Sequence, residues 1–342
     1  MVLITGATGF LGSFLAARLV AQGENPVLLK RSSSTIPAIL QPYDDEGRLN
    51  WREGDLLDIF SLERALEGIT KIYNCAALVS FDPKDAKQML RVNVEGTANL
   101  VNYSIKAGVR RLLQVSSVAA VGDAAKGKLA NEDSQWEQND HTSMYALSKF
   151  ESQREVWRGE VEGLQVNIVN PSIILGEPDW NHGSGLLFNF VRDGVKAYPP
   201  GANAMIWVED VVDCMRAIMD SDLNGEQFIL SAENMTYKAF FEQVAQRLDV
   251  PAPTIALKPW MLTLGWRMSR LFGIKGFSRD VALGARDVAC YDSSKAAKVL
   301  KYSFTPITQV IDHICTAYEK SATAAGRKSG TGSRQRQAGD KN

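Results

Sequence analysis

Apolar residues in the first half of the chain form short runs. Each run is followed by a segment in which apolar residues recur every three or four positions. The runs predict buried strands over 2–5, 26–29, 49–53, 71–77, 111–115 and 164–169, and the segments between them predict helices over 13–20, 58–67 and 83–107. Strands that alternate with helices favour a parallel sheet with helices on both faces, so the expected fold class is α/β.

The second half is less regular, with helices predicted over 186–195, 210–220 and 236–248 and a strand over 226–230. Residues 255–275 hold apolar and basic positions at near-helical spacing, namely Trp260, Met261, Leu264, Leu271 and Phe272 among Lys258, Arg267 and Arg270. Three interpretations stay open for this stretch: cover for the core, a lid over an apolar ligand, or a contact with a membrane surface. Residues 321–342 are rich in Ser, Ala, Gly and basic residues, which predicts a disordered tail.

Three glycines separate the first strand from the first helix. Gly6 is expected to permit a tight turn, Gly9 to let the backbone approach a pyrophosphate, and Gly12 to let the helix pack on the strand. The helix N-terminus then presents free N–H groups and the positive end of its dipole to the phosphates. The pattern predicts a dinucleotide site, and the alternative is a glycine-rich turn that only connects two elements.

The residues after the second strand bear on the choice of dinucleotide. Lys30, Arg31 and Ser32 stand where an NAD site places an acidic residue on the ribose. Because a cation and a hydroxyl suit a 2′-phosphate, we expect NADP(H) to be preferred, with NAD(H) possible; the alternative is a solvated basic turn. Asp55, after the third strand, is expected to bind the adenine amine, to cap the helix over 58–67, or both.

A tyrosine and a lysine stand four residues apart in a predicted helix, so Tyr145 and Lys149 share one helix face. We expect the ammonium, together with a cationic nicotinamide, to lower the phenol pKa from its usual value near ~10 and to make Tyr145 a general acid and base. Ser117 follows the fifth strand and is placed to bond the same substrate oxygen. A chance Tyr–Lys pair is the alternative.

Together these motifs resemble the extended short-chain dehydrogenase/reductase family, that is, the NAD-dependent epimerase/dehydratase superfamily. The matching residues, in family order, are 6–12, 54–56, 75–77, Asn93, 116–117, Tyr145 with Lys149, 170–172 and 208–210. The resemblance implies a Rossmann-type sheet, a triad of Ser117, Tyr145 and Lys149, a lysine that also holds the nicotinamide ribose, and a homodimer through a four-helix bundle. The cofactor-binding residues expected in this chain are Gly6, Thr8, Gly9, Phe10, Leu11, Gly12, Lys30, Arg31, Ser32, Asp55, Leu56, Cys75, Ala76, Ala77, Asn93, Ser116, Tyr145, Lys149, Pro171, Ser172 and Ile173.

Two places depart from the nucleotide-sugar branch of that family. Its members usually carry an Arg before the Val-x-Asp element and a Gly-Pro-Arg run after the sixth strand, where this chain has 203–207 and 175–178 without either. The chain is therefore closest to the dihydroflavonol reductase and 3β-hydroxysteroid dehydrogenase-like branch. The expected activity is hydride transfer between nicotinamide and the carbonyl or alcohol carbon of a fairly apolar small molecule. The alternatives are a nucleotide-sugar epimerase or dehydratase with tightly bound NAD, and a non-catalytic cofactor-binding module.

Domain organisation follows from the same motifs. Residues 1–170 are expected to form the dinucleotide-binding domain, to which segments around 204–230 return, and 171–320 mainly a smaller α/β substrate lobe. A net charge of −1 argues against nucleic acid or an anionic membrane as the main partner, and apolar runs too short for a bilayer argue against stable membrane insertion. Four scattered cysteines, three histidines and a first strand that starts directly after Met1 predict a reduced cytoplasmic protein without a signal peptide or metal site.

Overall fold

The computed structural model describes residues 1–122, 124, 128–140, 142–176, 183–272 and 278–331. Its largest element is a parallel sheet of seven strands: β1 (Val2–Thr5), β2 (Val27–Lys30), β3 (Asn50–Glu53), β4 (Lys71–Asn74), β5 (Arg111–Val115), β6 (Gln165–Pro171) and β10 (Glu226–Leu230). The spatial order is β10-β6-β5-β4-β1-β2-β3. The predicted α/β class is confirmed.

Helices cover both faces of this sheet. They are α1 (Phe10–Ala21), α2 (Gln41–Asp45), α3 (Ile59–Ala65), α4 (Ala86–Leu90), α5 (Gly96–Lys106), α6 (Met144–Val161) and α8 (Val208–Asp220). On one face α1 packs beside α8, and Arg18 of α1 forms ion pairs with Glu209 and with Asp213, the latter at 2.6 Å. The chain order reverses between β1 and β4. In open α/β sheets a ligand binds in the crevice at the carboxyl ends of such a pair of strands.

A second lobe stands at the carboxyl edge of this sheet. It holds a three-stranded sheet of β7 (Ile173–Leu175), β9 (Ala202–Trp207) and β11 (Glu233–Thr236), and a short parallel pair of β8 (Ala197–Tyr198) and β12 (Ile255–Ala256). Its helices are α7 (Gly185–Arg192), α9 (Tyr237–Leu248), α10 (Pro259–Phe272), α11 (Arg279–Gly284) and α13 (Ile307–Thr331). The helix α12 (Ser294–Val299) packs instead on β10 of the seven-stranded sheet. Phe188, Phe240 and Ile311 are buried between α7, α9 and α13 and form this lobe's own core.

Several predicted elements differ in detail. The loop expected between 36 and 50 contains the short helix α2, which Pro42 helps to start because its fixed φ suits the first turn. The helix α3 is capped by Asp58, whose carboxylate accepts from Phe60 N at 3.2 Å, and Asp55 instead closes the preceding turn by accepting from Leu57 N at 2.9 Å. The capping role proposed for Asp55 is therefore wrong, because Asp58 stands one residue before the helix.

Two helical segments also differ from the prediction. The helix expected over 83–107 is interrupted at Arg91–Glu95 by one turn of π-helix, which shifts the side chains that follow. At the C-terminus α13 continues to Thr331, so 321–331 are helical although disorder was predicted, since alanines in this stretch favour helix. The rest of the predicted tail, 332–342, lies outside the described residues.

Candidate active site

The loop after β1 is a backbone turn with no room for side chains at two of its glycines. Gly6 has φ +64°, and a Cβ added there would lie 2.7 Å from Ala76 N. A Cβ on Gly12 would lie 2.2 Å from the carbonyl oxygen of Gly6. The exposed Gly9 donates its N–H to that same oxygen at 2.9 Å and precedes α1 without a side-chain cap, so the first N–H groups of the helix face the crevice. This cradle fits a pyrophosphate.

The segment after β4 is held directly beside the glycine loop. The Thr5 hydroxyl donates to Asn74 Oδ1 at 2.5 Å and accepts from Ala76 N at 3.2 Å. Cys75, Ala76 and Ala77 are half-buried along this line, and burial raises the pKa of the Cys75 thiol to about 12, so that the thiol is neutral. Small, uncharged residues therefore line this side of the crevice, next to the glycine loop.

Ser117 and Tyr145 come together across two elements. Ser117 follows β5, and Tyr145 lies in the first turn of α6, which the Ser143 hydroxyl caps by accepting from Ala146 N at 3.0 Å. The side chain of Ser117 lies beside the Tyr145 phenol and acts to lower the pKa of that phenol. The ring of Phe81 meets the ring of Tyr145 edge to face at 5.6 Å between centroids. The structure therefore places the predicted serine and tyrosine side by side.

Lys149 lies one turn further along α6 and is buried, with its Nζ donating to the carbonyl oxygen of Val115 at 3.1 Å. Burial lowers the pKa of Lys149 to about 8. Burial also raises the pKa of the Tyr145 phenol, and the neighbouring Ser117 hydroxyl opposes that rise without reversing it. The expected lowering of the phenol pKa is thus not produced by the chain's own groups, because desolvation outweighs them.

The lowered pKa of Lys149 predicts a pH effect on stability. Between about pH 8, its folded value, and 10.5, its ordinary value, the unfolded chain holds a proton that the folded chain lacks, so the free energy of unfolding contributed by Lys149 rises with pH. Urea unfolding of wild type and Lys149→Met should show a difference that grows in favour of wild type across this window. Burial raises the pKa of the Cys75 thiol, so the contribution of Cys75 to the free energy of unfolding falls as pH rises. Both proteins contain Cys75, so its contribution cancels in the comparison. A difference that stays flat or shrinks would contradict a lysine whose pKa is lowered by burial.

Asn93 lies in the π-helical turn and is buried. Its side chain accepts from Leu78 N at 2.7 Å and donates to Leu78 O at 2.9 Å and to the Ser148 hydroxyl at 3.0 Å. The inward hydrogen bonds expected of an asparagine inside a helix are present. They tie the segment after β4 to α6, the helix that carries Tyr145.

Gln153 is a site residue that the sequence reasoning missed. Its Nε2 donates to Ser116 Oγ and to Asn170 Oδ1, both at 2.7 Å, and so joins the ends of β5 and β6 to α6. The available signal was spacing, since Gln153 follows Lys149 by four residues on the same helix face. Within the described ranges, Asn170 Nδ2 and Ser172 Oγ are buried polar atoms without a protein partner, which fits a polar ligand beside 171–173.

The remaining predicted contacts lie at the ends of β2 and β3. Lys30 stacks its ammonium over the Trp51 ring at 4.9 Å, whereas Arg31 and Ser32 are exposed beside it. Leu11 and Leu56 are buried in the core, so only their backbone is available to a ligand. Phe10 is half-buried and packs against the position of Gly176, where a Cβ would lie 2.8 Å from its ring. In the part of the chain that is described, no group of three or more His, Cys, Asp and Glu could hold a metal ion.

A glycine cradle at the point where a parallel sheet reverses its order, with paired Ser and Tyr hydroxyls and a buried Lys beside it, defines a class of dinucleotide-dependent enzymes. The chain belongs to the NAD-dependent epimerase/dehydratase family, whose model matches residues 2–230. It is an NAD(P)-dependent enzyme of the extended short-chain dehydrogenase/reductase type, as the sequence predicts.

Relatives with assigned names cover most of the chain. It is 32% identical over 262 residues to "Sterol demethylase protein B" of Methylococcus capsulatus, covering 76% of this chain and 78% of that protein. It is 29% identical over 319 residues to "Putative dihydroflavonol 4-reductase" of Synechocystis, covering 90% and 91%. Among solved structures, "Crystal structure of gox2253" matches with a TM-score of 0.80 and 29% identity, covering 94% of this chain and 98% of that one.

Proposed function

We propose that the chain is an NADP(H)-preferring oxidoreductase that interconverts the carbonyl and alcohol forms of a fairly apolar small molecule. The observation that carries the proposal is the placement of Ser117 beside the Tyr145 phenol, with the buried Lys149 one turn further along the same helix. The relatives whose printed names refer to a reductase and to a sterol demethylase support an apolar substrate.

The chain's own residues divide the work of the reaction. Bound nicotinamide would supply or accept the hydride. Tyr145 gives the proton of its hydroxyl to the reduced oxygen, or takes one from the alcohol, and Ser117 bonds the same oxygen and polarises the carbonyl. Lys149 places a cation near the Tyr145 oxygen. This cation stabilises the phenolate that is left when Tyr145 gives up its proton.

The cofactor fits the cradle described above. Gly6, Gly9 and Gly12 would hold the pyrophosphate on backbone N–H groups, and the segment 75–77 would lie against the ribose. The unpartnered hydroxyl of Ser172 would face the nicotinamide end. A homodimer and a cytoplasmic location remain predictions; light scattering of the purified protein tests the first.

Isotope transfer tests the proposed reaction. NADPH carrying deuterium at both hydrogen positions of nicotinamide C4 is mixed with the protein and a panel of apolar ketones and aldehydes. Deuterium on the carbinol carbon of the product, at one equivalent per turnover, is the expected result. Binding of NADPH with no transfer to any member of the panel would favour the non-catalytic module instead.

The preference for NADPH is tested at Arg31, which is exposed at the end of β2 while Lys30 is stacked on Trp51. Arg31→Ala should weaken NADPH binding about tenfold and NADH binding little, because only the first carries the 2′-phosphate. Dissociation constants from cofactor fluorescence measure both. Arg154→Ala, an exposed arginine on α6, is the matched control. Equal losses for the two cofactors would remove the argument for NADP(H).

The family name keeps one alternative open, a nucleotide-sugar epimerase or dehydratase that recycles a tightly held NAD. The position before Val208 holds Trp207 and the position after β7 holds Gly176, so the arginines that grip a sugar nucleotide in that branch are missing from both places. Stoichiometric NAD released on denaturing the freshly purified protein, together with no net oxidation of added NADPH, would favour this alternative.

A further inference from the structure

The helix α10 carries an apolar stripe on the surface. Trp260, Leu264 and Met268 are 58%, 51% and 42% exposed, whereas Leu262 is 5% exposed and faces the lobe. Residues four apart lie on one side of a helix, so the three side chains form a row about 12 Å long. The core interpretation of this stretch is therefore wrong for Trp260 and Leu264, because the turn of the helix points them outward.

Basic side chains border the stripe. Lys258 and Arg267 are exposed at its two ends. The sequence from Val250 to Arg279 contains five lysines and arginines and no aspartate or glutamate, although the whole chain has a net charge of −1. Ile255, 53% exposed, extends the apolar surface before the helix. We call these six residues, Ile255, Lys258, Trp260, Leu264, Arg267 and Met268, the α10 face.

The α10 face is anchored to the body of the protein. The strand β12 pairs with β8, and Leu257 N donates to Tyr198 O at 2.9 Å, which fixes the start of the helix. The helix α10 packs against α11, whose Arg279 donates to the carbonyl oxygen of Asp140 at 3.3 Å. Asp140 precedes Tyr145 by five residues. The helix α10 is therefore linked, through α11 and Arg279, to the loop that precedes α6.

We propose that the α10 face docks on the surface of a bilayer that contains anionic phospholipid. An in-plane amphipathic helix with an aromatic and aliphatic stripe and basic borders is the structure that such a surface binds. Apolar side chains enter the boundary between headgroups and acyl chains, and Lys258 and Arg267 face lipid phosphates. This membrane contact also gives an apolar substrate of the proposed reaction a route from the bilayer, and that last step rests on the proposed function.

The size of the patch decides against a second copy of the chain as the occupant. Stable protein interfaces bury about 800 Å² on each partner. A row of three side chains about 12 Å long offers a much smaller contact area than that. The contact is peripheral. Among the described helices none is long and apolar enough to cross a membrane.

Co-sedimentation of the full chain with vesicles tests the proposal without substrate or turnover. We expect binding to phosphatidylcholine vesicles that contain about one quarter phosphatidylglycerol, and weaker binding to pure phosphatidylcholine. The triple variant Trp260→Ser, Leu264→Ser, Met268→Ser should lower the partition coefficient about tenfold or more. The matched control Phe60→Ser, Val161→Ser removes two side chains that are 74% and 88% exposed on other helices, and it should bind like wild type.

A charge variant keeps the test independent of the apolar substitutions. Lys258→Gln with Arg267→Gln should weaken binding to the anionic vesicles roughly thirtyfold and leave binding to neutral vesicles unchanged. Wild-type sedimentation that is equal for the two vesicle types, or equal losses in the triple variant and its control, would overturn the proposal. So would a triple variant that changes the oligomeric state and not the vesicle binding. Deuterium transfer with no vesicle binding would reject the membrane surface alone and leave the proposed function standing.

Discussion

Replacing Tyr145 with Phe is expected to lower kcat for carbonyl reduction by between about 10² and 10⁴-fold while the Kd for NADPH changes little. The substitution removes the hydroxyl that lies beside Ser117 and keeps the ring that packs against Phe81. The proton for the reduced oxygen then has to come from water. Steady-state rates with NADPH and fluorescence titration of the cofactor give the two quantities.

A matched control separates this loss from a general effect of removing a phenol. Tyr103→Phe changes a half-buried tyrosine of α5 that stacks with Lys106 and lies outside the site, and it should keep wild-type turnover. Full turnover in the Tyr145→Phe protein would refute the role of Tyr145 as general acid and base. Loss of NADPH binding along with kcat would instead show that the side chain holds the cofactor.

The second large effect is expected at Gly12. An alanine there puts a Cβ 2.2 Å from the carbonyl oxygen of Gly6 and 2.8 Å from its carbonyl carbon, and both are backbone atoms that no rotamer change can move. Gly12→Ala should therefore lower the free energy of unfolding by about 3 kcal/mol or more, and protein that still folds should bind NADPH much more weakly because the glycine loop must shift. Urea unfolding and cofactor titration measure the two losses.

Gly284→Ala is the control for this prediction. Gly284 ends the helix α11, and an added Cβ there meets nothing within 4 Å. Because alanine favours helix over glycine, this variant should be unchanged or stabilised by up to about 1 kcal/mol. Similar losses in Gly12→Ala and Gly284→Ala would mean that helix propensity, and not the close packing of the glycine loop, explains the effect.

The part of the site that sequence could predict is the part fixed by local spacing. Gly6 and Gly12 stand at a strand–helix junction, and Tyr145 and Lys149 stand one helical turn apart, so their relation follows from backbone geometry alone. The strands of the seven-stranded sheet were predicted to within a few residues because most of them are short apolar runs that are buried, whereas the edge strand β3 has no buried residue. Ser117 was predicted from its place at the end of a strand.

The sequence did not predict the properties that depend on burial and on contacts with distant residues. The pKa of Tyr145 is raised because packing around the phenol removes water, and neither the helix spacing nor the charge of Lys149 reports that packing. Gln153 became a site residue only when β5 and β6 brought Ser116 and Asn170 to the same place. The sequence predicted Lys30 and Arg31 equally as cofactor contacts, but the ammonium of Lys30 stacks on the ring of Trp51 from the neighbouring strand.

By itself, therefore, the sequence determined the α/β order, the glycine turn, and the helix face that carries Tyr145 and Lys149, since these follow from contacts within a few residues. Only the tertiary structure decided which of these groups are desolvated, which cation stays free beside β2, and that Trp260, Leu264 and Met268 point outward. Desolvation and side-chain exposure depend on how segments that are distant in the sequence pack against one another. They are therefore properties of the folded chain and cannot be read from local spacing.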